Sequence, residues 1–205
     1  MMGAMARSRG GMHGSRVRER ALGRAGGLLV VLALVGCTAD APPSRVDRDE
    51  VALRVTTVHG DQQLSDAQRA EVEGAVGEVL SHYLVGGFLG DYPRERFVQA
   101  FDDFTPRAAA LATRDITVLT AARVGDATEV TPRRLDARLS LLVRDGVVIG
   151  ATAFVDVDLE AVMPGGETQD VTLDGRLMLQ EQRGRWSVYG FDVANDDGAP
   201  AEGTG

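Results

Sequence analysis

Apolar residues recur between positions 72 and 84 with the spacing of a single helical stripe, which is the clearest structural signal in the chain. Ser65 and Gln68 upstream have the spacing of a capping box, and Gly86-Gly87 follows the stripe. Side chains three and four positions apart lie on one side of a helix, so an amphipathic helix is predicted between these signals. The stripe consists of Val72, Ala75, Val76, Val79, Leu80, Tyr83 and Leu84.

Two further helices are predicted downstream of this stripe. Pro93 suits the first turn of one helix, and Thr105-Pro106 combines a capping residue with a first-turn proline for the next. The first of these helices would carry Phe97, Phe101 and Phe104 on one side. Ahead of all three helices, alternating apolar residues predict a short strand over 51–58.

The pattern changes to an alternation of apolar and polar residues at Ile116, which predicts strands from there on. Turns that contain glycine or proline separate the strand-length segments. These segments span 116–124, 133–143, 147–162, 169–182 and 185–194. The order predicts one α+β domain over 51–194, in which N-terminal helices pack on one face of a curved antiparallel sheet of about four to six strands.

The register of the first hairpin decides which side chains share a face. A two-residue turn at Asp145-Gly146 would place Asp136 opposite Val155, a charge against a core residue. A three-residue loop over 144–146 places Leu135 opposite Val155 instead. We therefore predict the three-residue loop, with its glycine in a bulge.

The last hairpin is predicted to turn at Arg183-Gly184, which pairs Leu179 with Val188. With both hairpins in place, one face of the sheet is almost wholly aliphatic, and the helices must cover it. This face is predicted to carry Leu135, Leu139, Leu141, Val143, Val147, Ile149, Val155, Val157, Leu159, Val171, Leu173, Leu177, Leu179, Trp186 and Val188.

The opposite face is predicted to be mixed, with many charged residues and one apolar group. An exposed apolar group on a sheet indicates a contact surface, so this group is a candidate interaction face for a protein partner or a second copy. The alternative is that the 51–58 strand or a neighbouring loop covers it. The group consists of Phe154, Met178, Tyr189, Phe191 and Val193.

Candidate chemistry is sparse, and we predict no catalytic residue, no cofactor and no metal. Carboxylates of Asp156, Asp158 and Glu160 would lie about 7 Å apart along one strand, without the glycine-bracketed loop of a calcium site. His82 lies alone on a helix flank. Asp102-Asp103 are adjacent in a predicted helix, where neighbours point about 100° apart and do not converge.

The N-terminus has a pattern of its own. Six arginines and one glutamate precede Cys37, and an apolar run ends at Val35. The run of about ten residues is roughly half of what a helix needs to cross about 30 Å of hydrocarbon. Such a segment is typical of an export signal, and the simplest interpretation is a secretory signal that is cut near Gly36.

Leu34-Val35-Gly36-Cys37 resembles the lipobox of bacterial lipoproteins, and Cys37 is the only cysteine in the chain. The resemblance implies cleavage before Cys37, lipidation of its thiol, and a domain held by acyl chains on the outer face of the cell membrane. The predicted organisation is a signal peptide (1–36), a flexible tether (37–50), the domain (51–194) and a disordered acidic tail (195–205).

Charge excludes one class of partner. The whole chain has a net charge of −8, and without its first 36 residues it keeps 16 basic and 29 acidic residues, a net charge of −13. Such a domain repels phosphate backbones, so nucleic acid is not an expected partner. A single cysteine also excludes an internal disulfide or a cysteine-based metal cluster.

The order of helices before strands, with a closing segment Gly184-Arg185-Trp186-Ser187-Val188, is similar to the NTF2-like superfamily. A closing G-x-W-x-V strand is common there, particularly in actinobacterial members such as the Mce-associated proteins. The resemblance covers about residues 64–194 and implies helices over a curved sheet, together forming a cone. Isomerase-type members place a carboxylate and a tyrosine inside the cone. The inward face predicted here offers only Glu181, so no catalytic residue is carried over.

These observations favour a non-catalytic, lipid-anchored envelope protein that acts as a binding or accessory module. A second hypothesis is a carrier that holds a lipid or another hydrophobic ligand between helices and sheet. A third is an NTF2-like isomerase. Its candidate residues would be Tyr83, His82, Asp102 and Asp103.

Replacing Cys37 with alanine is expected to release the protein from the membrane fraction, because the thiol that would carry the acyl chains is removed. Fractionation of cells that express the wild-type and the Cys37→Ala chains measures this. Retention of the variant in the membrane fraction would contradict the anchor.

Overall fold

The computed structural model describes residues 51–195 and 200–204. Within these ranges the chain forms three α-helices and a six-stranded mixed sheet. The signal peptide, the tether and Cys37, which the sequence predicts within residues 1–50, lie outside the described ranges. The elements are β1 (Arg54–His59), α1 (Asp66–Gly87), α2 (Pro106–Ala112), α3 (Ile116–Leu119), β2 (Glu129–Arg144), β3 (Val147–Val162), β4 (Thr168–Gln182), β5 (Arg185–Asn195) and β6 (Pro200–Thr204).

The strands lie side by side in chain order. Neighbours from β2 to β6 are antiparallel, which confirms the predicted meander, whereas β1 lies parallel to β2 at the edge. The prediction of a purely antiparallel sheet is therefore wrong at β1. All three helices lie in the connection from β1 to β2, and a long connection of this kind is what a parallel pair requires.

The first helix is confirmed together with its capping box. Ser65 Oγ accepts a hydrogen bond from the Gln68 amide at 3.3 Å, and the Ser65 amide donates to Gln68 Oε1 at 2.9 Å. At the other end, the Arg94 guanidinium donates to the carbonyl oxygens of Val85 and Leu89 at 3.1 and 2.7 Å. These carbonyls have no partner within the helix, so Arg94 closes its C-terminus.

The predicted helix at Pro93 is wrong, because only Val98–Phe101 form a single 3-10 turn. The Arg94 amide donates instead to Gly125 O at 2.6 Å, which directs this segment away from helical bonding. The third predicted helix is confirmed as α2, with Thr105 as its capping residue. The three phenylalanines of the segment are nevertheless buried, as their spacing predicts: Phe97, Phe101 and Phe104.

The predicted strand over 116–124 is also wrong, since α3 and a 3-10 turn occupy it. Thr120 joins the two turns, because its hydroxyl donates to Ile116 O at 2.6 Å and accepts from the Ala122 amide at 3.3 Å. The Leu119 carbonyl receives the Tyr83 hydroxyl of α1 at 2.7 Å. These contacts with side chains replace the ladder bonds that a strand would need.

The first hairpin turns in two residues, not three. Arg144 pairs with Val147, and the turn between them has positive φ at Asp145 (53°) and Gly146 (75°), the geometry of a type I′ turn. The register then shifts by one residue, with Ile149 as the extra residue of a bulge in β3. The predicted loop is therefore wrong, but apolar residues still face one another because the bulge restores their parity.

The last hairpin turns at Arg183-Gly184 and pairs Leu179 with Val188, as predicted. Beyond this pair the register shifts, and Tyr189 is the extra residue in β5. Side chains that follow the bulge change face. Phe191 and Val193, predicted for the outer interaction face, are therefore buried on the helix side, with exposed fractions of 1% and 2%.

Residues 200–204 correct the prediction of a disordered tail, because they form β6 against β5. Pairing covers an edge of β5 that would otherwise expose unpaired backbone groups. Gly203 lies opposite Phe191, and a Cβ atom at this glycine would approach the Phe191 ring to 2.6 Å. A small residue is thus needed here for β6 to lie over the aromatic ring.

Truncation of Phe191 distinguishes the buried position that the structure gives this side chain from the exposed position that the sequence predicted. We expect Phe191→Ala to lower the free energy of unfolding by about 3–5 kcal/mol, because a buried ring is removed. Phe154→Ala, in the exposed group, should change it by less than about 1 kcal/mol. Urea denaturation of both variants measures the difference, and equal losses would contradict the register.

Candidate functional site

The sheet face that points away from the helices is the candidate site. Phe154 lies near the middle of this face and is 36% exposed, while Met178 and Tyr189 are partly buried. Three of the five predicted interaction residues therefore stay on it. Leu142 joins them and is 61% exposed. We call the following set the outer patch: Leu142, Thr152, Phe154, Met178, Gln180 and Tyr189.

Two of the bulges shape one end of this patch. Ile149 and Tyr189, the extra residues of β3 and β5, border a shallow depression of about 460 Å³. The Met178 methyl group lies over Gly190, where an added Cβ atom would be 3.0 Å from it. The depression is uncharged, since its lining consists of Ser140, Leu141, Leu142, Ile149, Gly150, Ala151, Thr152, Leu179, Gln180 and Tyr189.

Leu142 was missed by the sequence interpretation. Leu142 directly follows Leu141, which is predicted to face inward, and successive side chains of a strand point to opposite faces. This alternation was the signal that could have placed Leu142 on the outer face. In the structure Leu142 pairs with Gly150, whose lack of a side chain leaves the leucine uncovered on that side. A bulky residue opposite Leu142 would have reduced this exposure.

The other end of the face is a network of ion pairs. Arg133 is the extra residue of a third bulge, and its guanidinium contacts Glu160 and, at 2.7 Å, Asp170. The hydrogen bonds that Arg133 donates to Glu160 and, second, to Asp170 raise the pKa of the guanidinium above its usual value. Arg134 lies 3.3 Å from Asp156 and 3.5 Å from Asp158.

The predicted acidic ladder is therefore occupied by arginine and not directed at a cation. Each of its three carboxylates forms an ion pair with Arg133 or Arg134. Within the described ranges there is no group of three or more His, Cys, Asp or Glu side chains that could hold a metal ion. Solvent screens exposed ion pairs of this kind, so they contribute little to the stability of the fold.

Tyr83, a candidate for the isomerase hypothesis, is buried in the core. Its hydroxyl donates to Leu119 O at 2.7 Å, and its ring packs edge-on against Phe88, with a centroid distance of 5.8 Å. Burial raises the pKa of the Tyr83 phenol well above its usual 10.0. This hydroxyl holds α1 to the end of α3 and has no open space in front of it.

His82 and Asp103 are brought together, although they are 21 positions apart in sequence. His82 Nδ1 lies 2.9 Å from Asp103 Oδ2, and the histidine side chain is 64% exposed. Asp102 points into solvent and does not join them. The Asp103 carbonyl accepts from the Val188 amide at 3.0 Å, so the pair connects α1 to the segment that borders β5.

The layer between helices and sheet is apolar. Among the described residues, its fully buried polar side chains are Thr120 and Tyr83, and both form hydrogen bonds to backbone groups. The buried hydroxyl oxygen of the half-buried Thr57 has no hydrogen-bond partner. At its border, a cleft of about 450 Å³ separates the α3 region from β4. The cleft is lined by Thr117, Val118, Thr120, Ala121, Arg123, Val124, Gln169, Asp170, Val171, Thr172 and Asn195.

Comparison with known proteins finds no matching family model, no similar curated protein and no similar solved structure. None of the helices in the described ranges has both the length and the hydropathy needed to span a bilayer. The geometry of the site therefore carries the functional argument.

The burial of Tyr83 generates a prediction about alkaline pH. Because its pKa is higher in the folded than in the unfolded state, ionisation favours unfolding once the pH exceeds about 10. The stability of the wild-type protein should then fall by up to about 1.4 kcal/mol per pH unit from this group alone.

Tyr83→Phe should remove that part of the pH dependence. It should also lower the free energy of unfolding at neutral pH by about 1–3 kcal/mol, because the buried Leu119 carbonyl loses its partner. Denaturant titrations between about pH 8 and pH 11 measure both effects. If the free energy of unfolding depended on pH in the same way in both proteins, the pKa of Tyr83 would not be raised by folding.

Proposed function

We propose that this protein is a non-catalytic, lipid-anchored envelope protein that works as a binding module through its outer patch. The observation that carries the proposal is the one-sided covering of the sheet. Helices lie on one face, while Phe154 and Leu142 are exposed on the other. Exposed apolar side chains grouped on a rigid surface are typical of a protein contact site.

The composition of the patch supports this role. Leu142 and Tyr189 line an uncharged depression, and Phe154 and Met178 lie beside it on the same face. Arginines and carboxylates lie around this group. Protein interfaces have the same arrangement, with an apolar centre that excludes water and a polar rim. The strands fix the spacing of these side chains, so little conformational entropy is lost on binding.

The candidate catalytic groups give the isomerase hypothesis little support. Tyr83 is engaged with a backbone carbonyl inside the core, and the His82–Asp103 pair lies at the surface. Asp102 and Asp103 border one surface depression of about 670 Å³, but neither Tyr83 nor His82 lines it. The proposed location rests on Cys37 and its resemblance to a lipobox, with the domain tethered outside the membrane.

The carrier hypothesis is retained as a second candidate because of the cleft beside α3. Val118, Val124 and Val171 supply apolar surface at this cleft, and threonines supply polar groups at its rim. A small amphipathic ligand would fit such a lining. Native mass spectrometry of the mildly extracted protein would reveal a co-purifying ligand of this kind.

Site-specific photocrosslinking tests the proposed contact surface in intact cells. A photoreactive residue in place of Leu142 should give a discrete adduct, because this position lies in the patch. Val85 on α1 provides the matched control, since it is 56% exposed but lies on the helix side. Phe154→Glu should abolish the Leu142 adduct by placing a charge in the interface.

Equal adducts from positions 142 and 85, or adducts that persist in Phe154→Glu, would contradict the outer patch as the binding surface. Circular dichroism of Phe154→Glu checks that the fold is retained.

A further inference from the structure

We propose that β5 and α2 form a groove that binds an extended peptide, and that β6 occupies this groove as an exchangeable strand. The groove lies at the edge of the sheet and is distinct from the outer patch, so its ligand is independent of the proposed function. The ligand is a segment of another protein that has a small residue followed, two positions later, by glycine.

The position of β6 defines this edge groove. The strand pairs with β5 from Gly190–Thr204 to Ala194–Pro200, and it contacts both α2 and α3. Phe191 and Val193 of β5 form the buried floor of the groove. A strand that pairs with a sheet edge is a recurring way in which proteins recognise extended peptides.

The walls of the edge groove are held together without β6. The Thr105 amide, at the start of α2, donates to Val188 O at 2.8 Å, and the Val188 amide donates to Asp103 O at 3.0 Å. The Phe104 ring lies 6.5 Å from the Phe191 ring, measured between centroids. Since these contacts connect β5 directly to the helical layer, the groove is formed before any strand enters it.

Backbone pairing is the main contact that holds β6 in place. Of the side chains described in this strand, only Ala201 is fully buried. Glu202 lies opposite Asp192, and like charges on neighbouring strands weaken their pairing. Arg176 contacts Asp192 and attracts Glu202 only at longer range. A peptide with another sequence could therefore form the same backbone bonds in place of β6.

The floor of the edge groove selects small side chains. A Cβ atom at Gly203 would lie 2.6 Å from the Phe191 ring and 3.1 Å from a Leu111 methyl group. Ala201 lies opposite Val193, two positions earlier along the strand. The other two described side chains of β6 are exposed, so their positions are open to many residue types. This pattern defines the peptide class that the groove accepts.

A segment of another protein is the occupant that gains by entering the groove. Exchange of β6 between two copies would replace each pairing by an identical one, so no contact would be gained. Another protein must instead displace β6, and β6 thereby excludes peptides that match the groove poorly.

Reciprocal substitution provides the test. A fluorescent peptide with the sequence of residues 200–205 should bind the full chain, and fluorescence anisotropy measures its affinity. Gly203→Val in the chain should raise this affinity by about 10-fold or more, because overpacking against Phe191 weakens the strand that competes with the peptide. The same change in the peptide should lower the affinity by a similar factor. Thr204→Val is the matched control in both, since this exposed residue does not face the floor.

A disulfide that holds β6 in the groove provides the second test. Directly opposite residues of antiparallel strands have Cα atoms about 4.5–5.5 Å apart, a distance that a disulfide spans. Asp192→Cys and Glu202→Cys introduce such a pair, and Cys37→Ala removes the only other thiol of the chain. The oxidised protein should lose peptide binding, and reduction should restore it.

Three results would overturn the proposal. The first is no binding of the peptide to the wild-type or Gly203→Val chain at about 1 mM. The second is equal binding to the oxidised and reduced proteins, which would place the peptide elsewhere. The third is a covalent dimer joined through positions 192 and 202, which would show exchange between copies. The peptide variants and the disulfide test the groove in chains that retain Gly203, so they decide the question even if Gly203→Val unfolds the protein.

Discussion

Burial of one aliphatic face of the sheet is the constraint on which the rest of this fold depends. The inward residues of β2 to β5 present a continuous apolar surface, and α1 and α2 supply the matching stripe and small alanine side chains. At about 25 cal/mol per Å² of apolar surface removed from water, this layer is the main source of stability. The aromatic residues Tyr83, Phe104 and Phe191 connect helices and sheet at its centre.

The bulges reconcile this burial with tight turns. Type I′ turns impose a two-residue connection on both hairpins, and the strand register that follows from them would bring charged residues into the core. An extra residue at Ile149 corrects the parity of β3, and an extra residue at Tyr189 turns Phe191 inward. The same irregularities create the uncharged depression on the outer face. Core packing and the shape of the candidate site therefore share one cause.

Covering only one face leaves the other available for contact. Its charges are largely paired among themselves, which keeps the surface soluble while an apolar centre remains exposed. The helix side is closed by backbone and side-chain hydrogen bonds that hold Tyr83, Thr120 and Arg94 in fixed roles. The layer between helices and sheet thus stabilises the fold, and the outer face of the sheet is left uncovered. This division is the physical basis of the proposed function.

Local signals were sufficient to predict α1, α2 and the four long strands, because caps, glycine-containing turns and alternation act over a few residues. They also predicted which side of β2 and β4 is buried, and which side of β3 from Ala151 onward. Val147 and Ile149, predicted to face inward, do not, since Val147 is exposed and Ile149 is the extra residue of the bulge. Signals of this range could not predict the helical turns at 116–124, which depend on Tyr83, or β6, which depends on the exposed edge of β5. The inward turn of Phe191 and the His82–Asp103 pair arise only when distant segments meet. Such contacts follow from packing across the sheet, and no short stretch of sequence encodes them.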